Sequence, residues 1–117
     1  MKLKINLGGK KLIIDNVIET TFWLKFKGLM FRSKEKAPIL LFNISRKEAI
    51  HSYFVFFKFL ILWLDKDNNV VDWKVVKPFS LYEKSSHHFS KIIEIPINRR
   101  YHSLVTFIVE ERFKKRR

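Results

Sequence analysis

The stretch from Tyr53 to Leu64, YFVFFKFLILWL, is the strongest constraint on how this 117-residue chain can fold. Its twelve residues contain one charge, Lys58. A helix that spans a bilayer needs about twenty apolar residues, so this run is too short to cross one and must be buried inside the protein. A continuous run of aromatic and β-branched residues that ends in a turn reads as strands covered on both faces. Lys58 then marks an exposed break between two strands. The segment Asp65-Lys66-Asp67-Asn68-Asn69 that follows is a turn, because Asp and Asn side chains bond nearby backbone and tolerate left-handed conformations.

The rest of the chain follows the same pattern of short strands. Leu3, Ile5 and Leu7 alternate with Lys2, Lys4 and Asn6, the period of a half-buried strand. Gly8-Gly9 is a hairpin turn, since both residues accept positive φ, and the return strand runs over Lys11–Val17, with Asp15-Asn16 as a bulge or end. Thr20 or Thr21 suits a helix N-cap, Phe22 and Phe26 lie one turn apart, and Gly28 fits the stop. These residues predict a short α-helix near residues 21–27. Ile39–Phe42 is a short buried strand after the loop 34–38. Val71, Trp73 and Val75 form one strand face, and Ile93, Ile95 and Ile97 another with Glu94 on its opposite side. Residues 77–90 form a long loop, and Val105, Phe107 and Val109 make a last strand. The expected fold is a single mainly β domain over residues 1–111, either a β sandwich or a partly closed barrel, followed by a flexible basic tail at residues 112–117.

Charge narrows the function less than it first suggests. The chain has 24 Lys and Arg against 11 Asp and Glu, a net charge of +13. Of these, 19 basic and 9 acidic residues lie within the first 109 positions, so the excess belongs to the domain body as well as its end. Such a surface attracts polyanions: nucleic acid, acidic lipid or an acidic protein. The absence of Cys excludes disulfides, a Cys-based zinc site and a thiol nucleophile. The N-terminal residues alternate apolar and basic and lack the apolar core of a secretion signal. A soluble, cytoplasmic protein is the expectation.

Three blocks carry a family likeness. Thr20–Arg32 reads TTFWLKFKGLMFR, Ile50–Val71 reads IHSYFVFFKFLILWLDKDNNVV, and Lys77-Pro78-Phe79 and the strand IIEIP at Ile92–Pro96 follow. In this order, and over roughly Val17 to Val109, they resemble the family called domain of unknown function 192. GLMFR and the spacing from His51 to Asp65 are the most specific parts. The resemblance implies a compact, mostly β domain with one short helix, and no established activity. The chain departs from the family pattern at Val55, where Met is usual. Lys58-Phe59-Leu60 replaces a Pro-Ile-Asp step, and Ile97–Val105 lacks the usual glycines and Gly-Asp. A function that depends on those positions does not carry over.

The candidate binding residues are Arg32, His51 and Tyr53, which sit in the two most family-like blocks. Arg32 can fork onto an anion, and His51 is a base or pH-sensitive group within an apolar strand. Lys2, Lys4, Lys10, Lys11, Arg99 and Arg100 are candidate contacts to an anion or nucleic acid, with Tyr82, Trp73 and Tyr101 as exposed stacking faces. His87-His88, with distant His102, lacks the local ligand spacing of a metal site, so neither a metal nor a cofactor is expected. The Asp65–Asn69 turn begins like a calcium loop but has no glycine at the sixth position and no closing Glu. Neither a nucleophile elbow nor a phosphate-binding glycine loop is present, so no catalytic residue is assigned. The sequence thus favours a small non-catalytic ligand-binding or accessory domain, with single-stranded nucleic-acid binding on a basic, aromatic β surface as the alternative.

Overall fold

Seven strands in two sheets and one helix make up the described part of the protein. The structure is a computed structural model, and it describes residues 1–19, 33–43, 57–78 and 87–116, with side chains to Glu111. Strands β1 (Leu3–Leu7) and β2 (Lys10–Ile14) form an antiparallel hairpin. The others are β3 (Val17–Glu19), β4 (Ile39–Phe42), β5 (Phe59–Leu64), β6 (Val70–Val76) and β7 (Lys91–Pro96). They form one sheet in the order β3-β4-β7-β5-β6. The β3–β4 pair is parallel and the rest are antiparallel. The fold is mainly β, and neither sheet closes into a barrel. The expected helix near residues 21–27 lies outside the described residues.

Local chemistry explains the hairpin. Leu7 pairs with Lys10 across Gly8 (φ 58°) and Gly9 (φ 90°), a two-residue turn that requires positive φ at both positions. The return strand ends earlier than expected, at Ile14. Asn16 adopts φ 58° and turns the chain, so Val17 leaves the hairpin and begins β3 in the other sheet. The N-terminal amino group of Met1 donates to the Val17 carbonyl at 2.9 Å.

A polar clasp joins the hairpin to the large sheet. Asp65 accepts from the backbone N–H of Asp67 and of Asn69, each at 2.9 Å, and from the Asn69 side chain at 3.0 Å. Burial raises the Asp65 carboxyl pKa, but these donors and Lys66 outweigh it and leave the group below its ordinary value. Asn68, at φ 64°, then reaches across. Its carbonyl accepts from Asn6 N–H at 2.8 Å, its side-chain amide donates to the Lys4 carbonyl at 3.0 Å, and its Oδ1 accepts from Lys91.

The segment expected to be the last strand is instead helix α1 (His102–Arg116). The buried positions Tyr101, Val105 and Ile108, with half-buried Leu104 and Val109, recur every three or four residues, as on one helix face. Phe107, which a strand would place beside Val105, is 39% exposed. Asn98 caps the start: its Oδ1 accepts from Tyr101 N–H at 2.9 Å, while its amide donates to the Lys34 carbonyl at 2.8 Å. The helical backbone runs on to Arg116, through most of the basic segment that begins at Arg112.

The three central strands of the large sheet, β4, β7 and β5, are buried on both faces. The hairpin and α1 cover the first face, packing Leu3, Ile5, Leu7, Val105 and Ile108 against Leu41, Leu60, Leu62, Ile93 and Ile95. The second face is more aromatic. There Phe42, Phe59 and Trp63 cluster with Leu40, Ile61, Ile92 and Val76, joined by Phe57 and Phe89. This two-sided burial explains why β4 and β5 have no polar position, and why Lys58, the one charge in the apolar run, is exposed just before β5.

Candidate functional site

The second face holds an acidic residue where the packing calls for an apolar one. Side chains alternate across a strand, so Ile93 and Ile95 of β7 enter the first core while Ile92 and Glu94 enter the second. Glu94 lies between Leu40 of β4 and Ile61 of β5 in the register. Its neighbours along β7 on the same face are Ile92 and Pro96. Phe42, Phe59 and Trp63 occupy the diagonal positions, about 7–8 Å away and within reach of aromatic side chains.

Glu94 is 6% exposed, and its Oε1 has no hydrogen-bond partner. Burial alone pushes its pKa up from 4.5 to about 8, so the group is largely protonated at neutral pH. Trp63, 1% exposed and a diagonal neighbour of Glu94, has an indole Nε1–H that is likewise buried and unpartnered. Each such group costs about 1–3 kcal/mol relative to a satisfied one. These two residues, at diagonal positions of one face, leave one acceptor and one donor unsatisfied there.

The edge strand β6 supplies the polar rim of this face. Asp72 lies opposite Trp63, and Lys74 opposite Ile61. Asp72 Oδ1 accepts from the Trp73 N–H at 2.8 Å, and its Oδ2 lies 3.5 Å from His87 Nδ1. His88 and His102 are both exposed. Among the described residues, no three His, Asp or Glu side chains converge as a metal site would need.

Of the residues singled out in the sequence, Arg32, His51 and Tyr53 lie outside the described residues. The basic candidates fall in two places. Lys2, Lys4 and Lys11 project from the outer face of the hairpin, beside Asn6 and Ile13, and Ile13 is 57% exposed. Lys2 lies 3.9 Å from Asp15. Lys10 points the other way and pairs with Glu111 of α1 at 3.2 Å. Arg99 and Arg100 sit at the opposite end of α1, where the Arg99 N–H donates to Glu35 at 3.2 Å. The Arg100 guanidinium covers the Tyr101 ring at 5.2 Å. Two of the expected stacking aromatics are not exposed: Tyr101 is buried, and Trp73 packs half-buried against the first core. Tyr82 lies outside the described residues.

No protein-family model matches this chain, and no curated protein does. Among solved structures, it is similar to the crystal structure of a protein of unknown function from Novosphingobium aromaticivorans DSM 12444, with a TM-score of 0.67 at 14% sequence identity. The match covers 88% of this chain and 76% of that one. At this identity the similarity establishes a shared fold.

Sequence reasoning missed Glu94 as a site residue because it placed Glu94 only on the side of the strand opposite Ile93, Ile95 and Ile97, with no account of what covers that side. The signal was in its neighbours. ILLF and FLILWL have no polar position, so a strand paired between them is covered on both faces and any acid in it is buried.

Proposed function

We propose that this protein is a small non-catalytic ligand-binding or accessory domain whose site lies on the second face of the large sheet, around Glu94 and Trp63. The observation that carries this reading is the buried Glu94 carboxyl, whose Oε1 is unpartnered, at a position diagonal to Trp63, whose indole N–H is unpartnered too. An apolar residue at position 94 would complete the core without the desolvation cost, so the acid is better explained by what it binds than by what it stabilises. Binding suits the site better than catalysis, because among the described residues the direct neighbours of Glu94 in the sheet are apolar and offer no second titratable group to exchange protons with. Membership of the domain-of-unknown-function-192 family is part of the proposal. It is supported by the quoted sequence blocks, and a mainly β fold is what that family implies.

A ligand-observed NMR screen of small polar fragments tests the reading. Fragments should bind the protein and lose binding to Glu94→Leu, which closes the site with an apolar side chain. An absence of hits, or hits indifferent to Glu94→Leu, would reject it.

A second reading, contact with a polyanion, is favoured by the shared outward face of Lys2, Lys4 and Lys11. It needs no pocket and is tested by the salt dependence of binding.

A further inference from the structure

We infer that the Glu94–Trp63 site takes a small organic ammonium ion that also carries a hydrogen-bond acceptor; this names the ligand class of the site proposed above and rests on that proposal. Three observations converge on this chemistry. The first is the acid: Glu94 Oε1 is buried and faces no donor, so the complementary group is a donor, and the most favourable donor is a cation. The second is its surroundings. Phe42, Phe59 and Trp63 hold the diagonal positions around Glu94, and the faces of aromatic rings attract ammonium groups strongly once water is excluded. The third is the indole. Trp63 Nε1–H can donate but not accept, so the ligand must also present an acceptor.

The other charges on this face are arranged at its rim. Lys74 lies two strands from Glu94, roughly 10 Å across the sheet, and is exposed. Asp72, opposite Trp63, favours a cation, while His87 beside it opposes one when protonated. Strand β5, with Ile61 directly beside Glu94, lies between Glu94 and both Lys74 and Asp72. An anionic ligand would be repelled by the carboxylate wherever Glu94 is ionised, above about pH 8. A neutral ligand would satisfy both hydrogen bonds but would not exploit the rings.

The inference carries a pH signature. An ammonium ion binds the ionised form of Glu94, and the free site ionises at about 8. Apparent affinity therefore rises about tenfold per pH unit below that value and levels off above it, because it scales with the competent fraction. Choline, whose charge does not titrate, is the suitable probe, with 3,3-dimethyl-1-butanol as its neutral isostere and glycolate as the anionic control. Binding is read from the Trp63 indole resonance in two-dimensional NMR and from calorimetry at pH 6, 7, 8 and 9.

Choline should shift the Trp63 resonance saturably and bind at least tenfold tighter than its neutral isostere. It should also tighten about tenfold between pH 6 and 7. Glu94→Gln, which keeps the shape of the side chain, should lose at least tenfold in choline affinity at pH 9 and flatten the pH profile of what binding remains. Equal binding of choline and the isostere at Trp63, or a flat pH profile, would overturn the ammonium assignment and leave the ligand-site reading standing. Silence from all three probes would overturn the ammonium assignment as well, and the fragment screen would then decide the reading itself.

Discussion

Glu94 has a calculable effect on stability. Its carboxyl titrates near 4.5 when unfolded and near 8 when folded. Between those values the unfolded chain has lost a proton that the native state keeps, so stability falls as pH rises, by about 1.4 kcal/mol per pH unit, and levels off above about 8. Glu94→Gln removes this slope. Urea midpoints of the two proteins should therefore coincide near pH 4.5 and separate in favour of the variant up to pH 8, with a gap on the order of a few kcal/mol. Equal midpoints at pH 8 would place the carboxyl in a solvated or paired setting. Asp65 behaves in the opposite sense. Its depressed pKa contributes stability that is present above the unfolded value and is lost as pH falls through the folded one. Asp65→Ala should cost about 0.5–1.5 kcal/mol at pH 7, because three solvent-exposed donors exchange their acceptor for water, and the variant should lose part of the acid-side fall in stability that the parent shows in the same urea series.

At the scale of elements, what was legible in the sequence depended on how many faces an element buries. The β1–β2 hairpin shows one face to solvent, so its alternation and Gly8-Gly9 could be read directly. Ile39–Phe42 was legible as a buried strand and Phe59–Leu64 as one covered on both faces, while the strand expected before Lys58 lies outside the described residues. Helix α1 was misread because Val105, Phe107 and Val109 fit a strand as well as a helix. Tyr101, Leu104, Val105 and Ile108 decide between the two, together with Asn98, a cap three residues before Tyr101. Substitution separates the alternatives. Phe107→Lys should change stability by less than about 0.5 kcal/mol, whereas Ile108→Ala should cost about 2–5 kcal/mol, measured by thermal unfolding. Asn98→Ala should cost about 1 kcal/mol through loss of the cap. A strand at this position would make Phe107→Lys the damaging change.

Across the whole molecule, Asn68 is where two sheets become one domain. Asn68→Gly keeps the left-handed backbone freedom but removes the side-chain bonds to the Lys4 carbonyl and to Lys91. Amide exchange should quicken selectively over Lys4–Leu7 in that variant, with the β5–β7 amides still protected. The +13 charge, the most conspicuous number in the sequence, is not gathered in one segment: Lys10 pairs with Glu111 toward one end of α1, while Arg99-Arg100 precede its other end. A polyanion held by Lys2, Lys4 and Lys11 alone would show a log–log salt slope of about −2 to −3, which Lys4→Glu with Lys11→Glu would flatten. The candidate site was hidden for a different reason: neighbouring strands bury Glu94, and sequence shows neither strand order nor register. The account rests on that residue being a buried acid kept without a partner in the free protein. Carboxyl ¹³C NMR of Glu-labelled protein, with the Glu94 signal assigned by Glu94→Gln, measures this directly. A midpoint near 8 is the predicted result, and a midpoint near 4.5 would contradict it.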